Sequence, residues 1–228
     1  MAIYHFARTA DDLADEGTLQ AEERLRLLGV FREQLRICFH DPKSLSEPYL
    51  EVFTELSKAI LNFNLPPAPL FSLLDAFEQD VLYTQQGKHY ESQEALLLYC
   101  SKSANPIGRL LLHLYGIQEA DSLRRSDAIC TSLQLINFWQ DLSIDIPRGR
   151  HYLPLECELP YELSFAHALM IQGSPLCERL PGRAAWELKM VVQGGLRILQ
   201  KCRKLNTFEH RPVIRLHDFP SMLARAIS

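Results

Sequence analysis

The stretch "LQLINFWQDLSIDIPRGRHYLP", residues 133–154, constrains this chain more than any other. If it is helical, Gln134, Asn137, Asp141 and Asp145 recur every three or four positions and share one stripe. Leu135, Ile136, Phe138, Trp139, Leu142 and Ile144 take up most of the remaining circumference. A helix so apolar must be surrounded by other elements, so the polar stripe is predicted to be buried with it. Carboxylates and amides taken out of water cost several kcal/mol unless they are paired or hold a cation. No ladder of lysines elsewhere in the chain answers this one. Oxygen ligands at this spacing suit a hard divalent cation such as Mg²⁺, which keeps waters and takes phosphate oxygens as further ligands.

The opening stretch "YHFARTADDLADEG" repeats the pattern. Tyr4, Arg8, Asp11 and Asp15 fall on one stripe with Asp12 and Glu16 beside it, while Ile3, Phe6, Ala7, Ala10, Leu13 and Ala14 cover the rest. Alone, this could be a helix end showing its acids to solvent. Together with the second ladder it predicts two acidic helices that face each other across Mg²⁺ and a diphosphate, within an apolar cavity. Arg8, Arg148 and Arg150 are then available for phosphate oxygens, or else they balance the neighbouring aspartates.

Apolar residues return every three or four positions nearly throughout, so the fold class is all-α. Helices are expected over 2–16, 19–39, 48–63, 69–86, 93–115, 119–146, 161–172, 183–205 and 212–226, with short Pro- and Gly-marked connectors. The stretch "EERLRLLGVFREQLR" reads as an ordinary solvated helix face. With 228 residues, 47% of them apolar, one domain over 1–228 is expected. A net charge of −4 gives no general footprint for nucleic acid. The six cysteines show no C-x-x-C pair and read as reduced, buried thiols of a cytoplasmic protein. No run of about 18 apolar residues predicts a membrane span.

"YHFARTADDLADE" together with "LQLINFWQDLSIDIPRGRHYLP" resembles the squalene and phytoene synthase family of head-to-head prenyl transferases. "YCSKSANPIGRLLLHLYG" and "RPVIRLHDFPSML" look most like its branch in hopanoid biosynthesis, hydroxysqualene synthase. The resemblance implies an isoprenoid synthase helical bundle around a central apolar cavity, with Mg²⁺ as cofactor and prenyl diphosphates as substrates. By position it gives Asp11, Asp15, Asp141 and Asp145 to the metal, and Asp12, beside the first stripe, is expected to join them. It places Tyr4, Arg8 and Tyr99 among the catalytic side chains, and Arg8, Gln134, Asn137 and Arg211 on the substrate, which Arg148 and Arg150 are expected to join from their place after the second stripe. It also implies a further helix ahead of the first motif, so the chain is expected to be N-terminally short. Gly194 and Gly195 stand near a place where carotenoid-forming relatives carry a tyrosine, which disfavours a phytoene-type product.

The expected reaction is conversion of presqualene diphosphate to hydroxysqualene. The alternatives are a squalene, presqualene diphosphate or phytoene synthase, or a non-catalytic helical protein that binds a prenyl lipid. Peripheral membrane contact and other enzymes of the hopanoid pathway are the further partners this reading admits. There is no H-E-x-x-H, G-x-G-x-x-G, phosphate-binding loop or G-x-S-x-G elbow, so zinc, nicotinamide and serine-hydrolase chemistry find no support. Phe6, Tyr99, Phe138 and Trp139 are either plain core or aromatic faces for a carbocation.

Overall fold

The structure, a computed structural model, describes residues 1–227. Its elements fall into two compact units, 1–86 and 87–228.

The first unit holds α1 (Ala2–Asp15), α2 (Ala21–His40), α3 (Leu50–Phe63) and α4 (Pro67–Gln86). Phe6, Ala10 and Ala14, one turn apart, form the buried face of α1. Phe6 stacks on Phe31 of α2 with centroids 5.3 Å apart, and Phe31 meets Phe53 of α3 at 4.5 Å. Asn64, left-handed at φ 49°, ends α3.

The expected solvated face of α2 is corrected in two places. Arg32 binds Glu78 and Asp75 of α4 at 2.9 and 2.7 Å. Arg24 is buried and donates to three backbone carbonyls: Leu13 at 3.1 Å, Gly17 at 3.0 Å and Leu19 at 3.1 Å. These carbonyls belong to the last turn of α1 and the connector that follows it, where helix ends leave acceptors without intrahelical partners. One guanidinium therefore fixes the end of α1 that carries the acidic stripe.

The second unit is built around α7 (Ala120–Gln140). Before it come α5 (Gln93–Ser103) and α6 (Asn105–Leu114); after it come α8 (Leu142–Asp145), α9 (Leu159–Gly173), α10 (Gly182–Cys202) and α11 (Phe219–Ile227). The predicted helix over 93–115 is two helices, because Pro106 has no N–H to continue α5 and instead opens α6. The last predicted helix begins only at Phe219, and residues 203–215 form an irregular connector with two turns.

Small residues let α7 approach α9 closely. Ser132 Oγ donates to Ala166 O at 2.6 Å, and a Cβ on Gly173 would come within 2.6 Å of Arg125 O. A Cβ on Gly195 would lie 2.8 Å from Met170 Cε and 2.9 Å from Leu133 Cδ2. A side chain there would have to push aside the ends of Met170 and Leu133.

Cys38, Cys100, Cys177 and Cys202 are buried, whereas Cys130 and Cys157 are half-buried; all six are free thiols. Among the described residues no helix is long and apolar enough to cross a membrane.

Glu162, in the first turn of α9, is fully buried; its Oε1 accepts a hydrogen bond from Gln93 Nε2 at 2.8 Å. Burial raises its pKa above the ordinary glutamate value. A raised folded pKa stabilises below the unfolded value of about 4.3 and loses that contribution as pH rises through the folded value. Glu162→Gln keeps an acceptor for Gln93 and removes the buried charge. Chemical denaturation from pH 5 to 8 is expected to show the variant gaining stability on the parent as pH rises. A parent that is the more stable of the two at pH 8 would refute this.

Candidate functional site

In the first unit the acidic stripe forms at the C-terminal half of α1. One carboxylate oxygen from each of Asp11, Asp12 and Asp15 lies within 4.8 Å of the others, and all three residues are half-buried. Arg8, one turn earlier, reaches Asp11 at 3.1 Å, Asp12 at 2.7 Å and Glu16 at 3.7 Å. Its pKa is raised, chiefly by Asp12. Four carboxylates around one guanidinium leave a net negative cluster of hard oxygen donors, the donor set that Mg²⁺ takes. Tyr4 is 64% exposed, and its ring meets that of His5 at 6.0 Å.

In the second unit the expected single stripe is corrected. The helix breaks at Asp141, whose φ of −102° and ψ of 10° end α7, and α8 restarts at Leu142. The break needs no glycine or proline. In a continuous helix Ser143 N–H would bond to Trp139 O; here it donates to Thr207 O at 3.0 Å. Tertiary pairing therefore redirects the backbone between the two aspartates. Asp145 is buried and Asp141 half-buried; Gln134 is half-buried, while Asn137 is exposed on α7. The ladder is buried only at its far end, contrary to the expectation of a uniformly buried stripe.

Two arginines answer these acids. Arg211, in the connector, donates through Nε to Asp141 Oδ1 and through Nη2 to Asp141 Oδ2, the latter at 3.2 Å. Its pKa is raised, first by that hydrogen bond. Arg150 Nη1 lies 3.9 Å from Asp145 Oδ1, and its backbone N–H donates to Asp145 O at 3.0 Å. Gly149, at φ 78°, makes the turn that returns the chain to Asp145. Arg148 is exposed on that turn.

Tyr99 is buried in a cluster that residue spacing does not reveal. Tyr152 stacks on Phe138 with centroids 3.8 Å apart and planes within 11°, and Tyr99 and Tyr90 stand 6.1 and 6.2 Å from Tyr152. The segment bearing Tyr152 is held by a bridge between His89 and His151, whose rings stack at 4.0 Å, and by Leu155 N donating to Tyr90 O at 3.1 Å. Phe6 and Trp139 are wholly buried, Phe6 against Phe31 and Phe53 in the first unit and Trp139 on α7. Residues that sequence reasoning missed are Arg24, which anchors the first acidic turn, Tyr90 and Tyr152 in the aromatic cluster, and Thr207, which breaks the second helix.

Residues 1–158 match the family model for squalene/phytoene synthase. Over 158 residues the chain is 36% identical to a hydroxysqualene synthase of Zymomonas mobilis, covering 68% of this chain and 48% of that protein. It is 32% identical over 155 residues to a hydroxysqualene synthase of Rhodopseudomonas palustris, covering 68% and 49%. The chain thus spans about half the length of the curated relatives it matches. Among solved structures it is similar to squalene synthase HpnC from Alicyclobacillus acidocaldarius, with a TM-score of 0.76, 31% identity, and coverage of 92% of this chain and 83% of that one. With both acidic motifs inside the matched stretch, and a helical fold shared with that synthase, the chain belongs to the squalene/phytoene synthase family.

Proposed function

We propose that the chain is a Mg²⁺-dependent synthase acting on prenyl diphosphates, and that its reaction converts presqualene diphosphate to hydroxysqualene. The observation that carries this reading is the set of three carboxylate oxygens within 4.8 Å on α1, with a guanidinium beside them. Hydroxysqualene synthases at 32–36% identity support the product, against 29% for a presqualene diphosphate synthase of Rhodopseudomonas palustris. Glycine rather than tyrosine at both 194 and 195 weighs against a phytoene-type product.

In this reading Asp11, Asp12 and Asp15, and likewise Asp141 and Asp145, are metal ligands. Bound Mg²⁺ supplies positive charge that stabilises the departing diphosphate. Arg8, Arg148, Arg150 and Arg211 hold diphosphate oxygens that carry the charge developing as the C–O bond breaks. Gln134 and Asn137 donate or accept hydrogen bonds near the same group. Tyr4 and Tyr99 take the roles of active-site side chains, and the Tyr90, Tyr99, Phe138 and Tyr152 faces favour a neighbouring carbocation. Water then adds to the rearranged cation and one proton is lost, which gives the alcohol.

The test is incubation with presqualene diphosphate and, separately, with farnesyl diphosphate, each with and without Mg²⁺, and identification of products by mass spectrometry. Hydroxysqualene formed only from presqualene diphosphate and only with Mg²⁺ is expected. Presqualene diphosphate or phytoene as the sole product would reassign the reaction.

A further inference from the structure

Asp141 does not present an open carboxylate. Arg211 covers both of its oxygens, one through Nε and one through Nη2. Asp145 has its own cation nearby in Arg150, so the charges of the four side chains sum to zero. A divalent ion approaching Asp141 therefore meets lone pairs already engaged by a planar fork, and that fork matches diphosphate oxygens as well as it matches a carboxylate.

We propose that Arg211 is an exchangeable counter-cation of Asp141: it yields the carboxylate when the divalent metal binds and transfers to the diphosphate, which makes metal and diphosphate bind cooperatively. The proposal rests on the function proposed above and adds the order and coupling of binding at Asp141.

The connector is built for a side-chain exchange without backbone movement. Thr207 O accepts from Ser143 N at 3.0 Å, Pro212 O from Gln140 Nε2 at 2.6 Å, and Val213 O from Lys201 Nζ at 2.7 Å. These bonds bracket Arg211 and fix its backbone beside Asp141. Its side chain is 43% exposed, against 16% for Asp141, so the Arg211 side chain is bordered by solvent far more than the carboxylate it pairs with. Arg150 is unlike it: its side chain is only 17% exposed, its Nη1 stands 3.9 Å from Asp145 Oδ1, and its backbone N–H is tied to Asp145 O. A guanidinium does not lose its proton in this pH range, so Arg211 leaves Asp141 only by displacement. Metal that pushes it off and diphosphate that takes it up each lower the cost of binding the other, and linkage makes the two effects equal.

Titration calorimetry and the paramagnetic resonance of free Mn²⁺ test this in the full chain, with Mn²⁺ as the probe metal and inorganic pyrophosphate as the probe anion at fixed free Mn²⁺. Arg211→Met keeps the apolar stem and removes the charge. It is expected to bind Mn²⁺ alone about tenfold more tightly than the parent and to lose most of the gain that pyrophosphate gives the parent. Arg211→Lys, which keeps the charge without the fork, is expected between the two. Thermal melts confirm that the variants fold. Asp141→Asn defines which Mn²⁺ site is at issue: if it binds Mn²⁺ as the parent does, Asp141 is no metal ligand, and both that part of the functional reading and the exchange fail. If Asp141→Asn loses a site but Arg211→Met binds Mn²⁺ no more tightly than the parent, the exchange alone is refuted. Tighter Mn²⁺ binding with the pyrophosphate gain undiminished overturns the transfer to diphosphate.

Discussion

Turnover of presqualene diphosphate is expected to fall about a hundredfold or more in Asp141→Asn, equivalent to roughly 3 kcal/mol of transition-state stabilisation. Asparagine keeps the volume and one acceptor oxygen but removes the charge that a divalent ion needs. The fold should tolerate the change. The Arg211–Asp141 pair is partly solvated, with Arg211 43% exposed, so its loss is expected to move stability by no more than about 1 kcal/mol. Single-turnover kinetics and a thermal melt on the same preparation separate the two effects. A sharp loss of melting temperature with turnover preserved would make the ladder a structural network and remove Asp141 from the metal site. Glu16, which ends α1 and is 65% exposed, serves as the contrast: Glu16→Gln is expected to change turnover only slightly.

Arg24→Met is expected to be the most destabilising of these substitutions, by about 3 kcal/mol in chemical denaturation. The methionine fills the space of the buried stem, but the carbonyls of Leu13, Gly17 and Leu19 lose the guanidinium that ties them together. The last turn of α1 then loses the donor that fixes it, and Asp12 and Asp15 lie in that turn. Weaker Mn²⁺ binding by the α1 carboxylates should accompany the lower denaturation midpoint. An unchanged midpoint would show that the connector is held by its other contacts, and would remove Arg24 as the anchor of the acidic turn.

The sequence by itself determined what depends on nearby residues. Helical periodicity is a property of positions three and four apart, so the all-α class was legible, as were the buried stripe of Phe6, Ala10 and Ala14 and the α1 acids on one face. The break before α6 was also written locally, in Asn105-Pro106, though the long apolar period across it favoured a single helix. Both acidic motifs were visible because a row of carboxylates on an otherwise apolar helix demands an explanation.

Tertiary structure alone decided three other features, each through a partner remote in sequence. The turn between Asp141 and Asp145 follows from Thr207 O taking the Ser143 N–H, and no residue within that turn announces it. Arg211 meets Asp141 across a separation of 70 positions, a pairing that helical spacing cannot express. Arg24 has the same pattern as the surface arginines around it; its carbonyl partners lie beyond the start of its own helix, and the connector's return path is what buries it. Backbone carbonyls look alike in every sequence, so which cation satisfies which carbonyl is settled only when the chain folds.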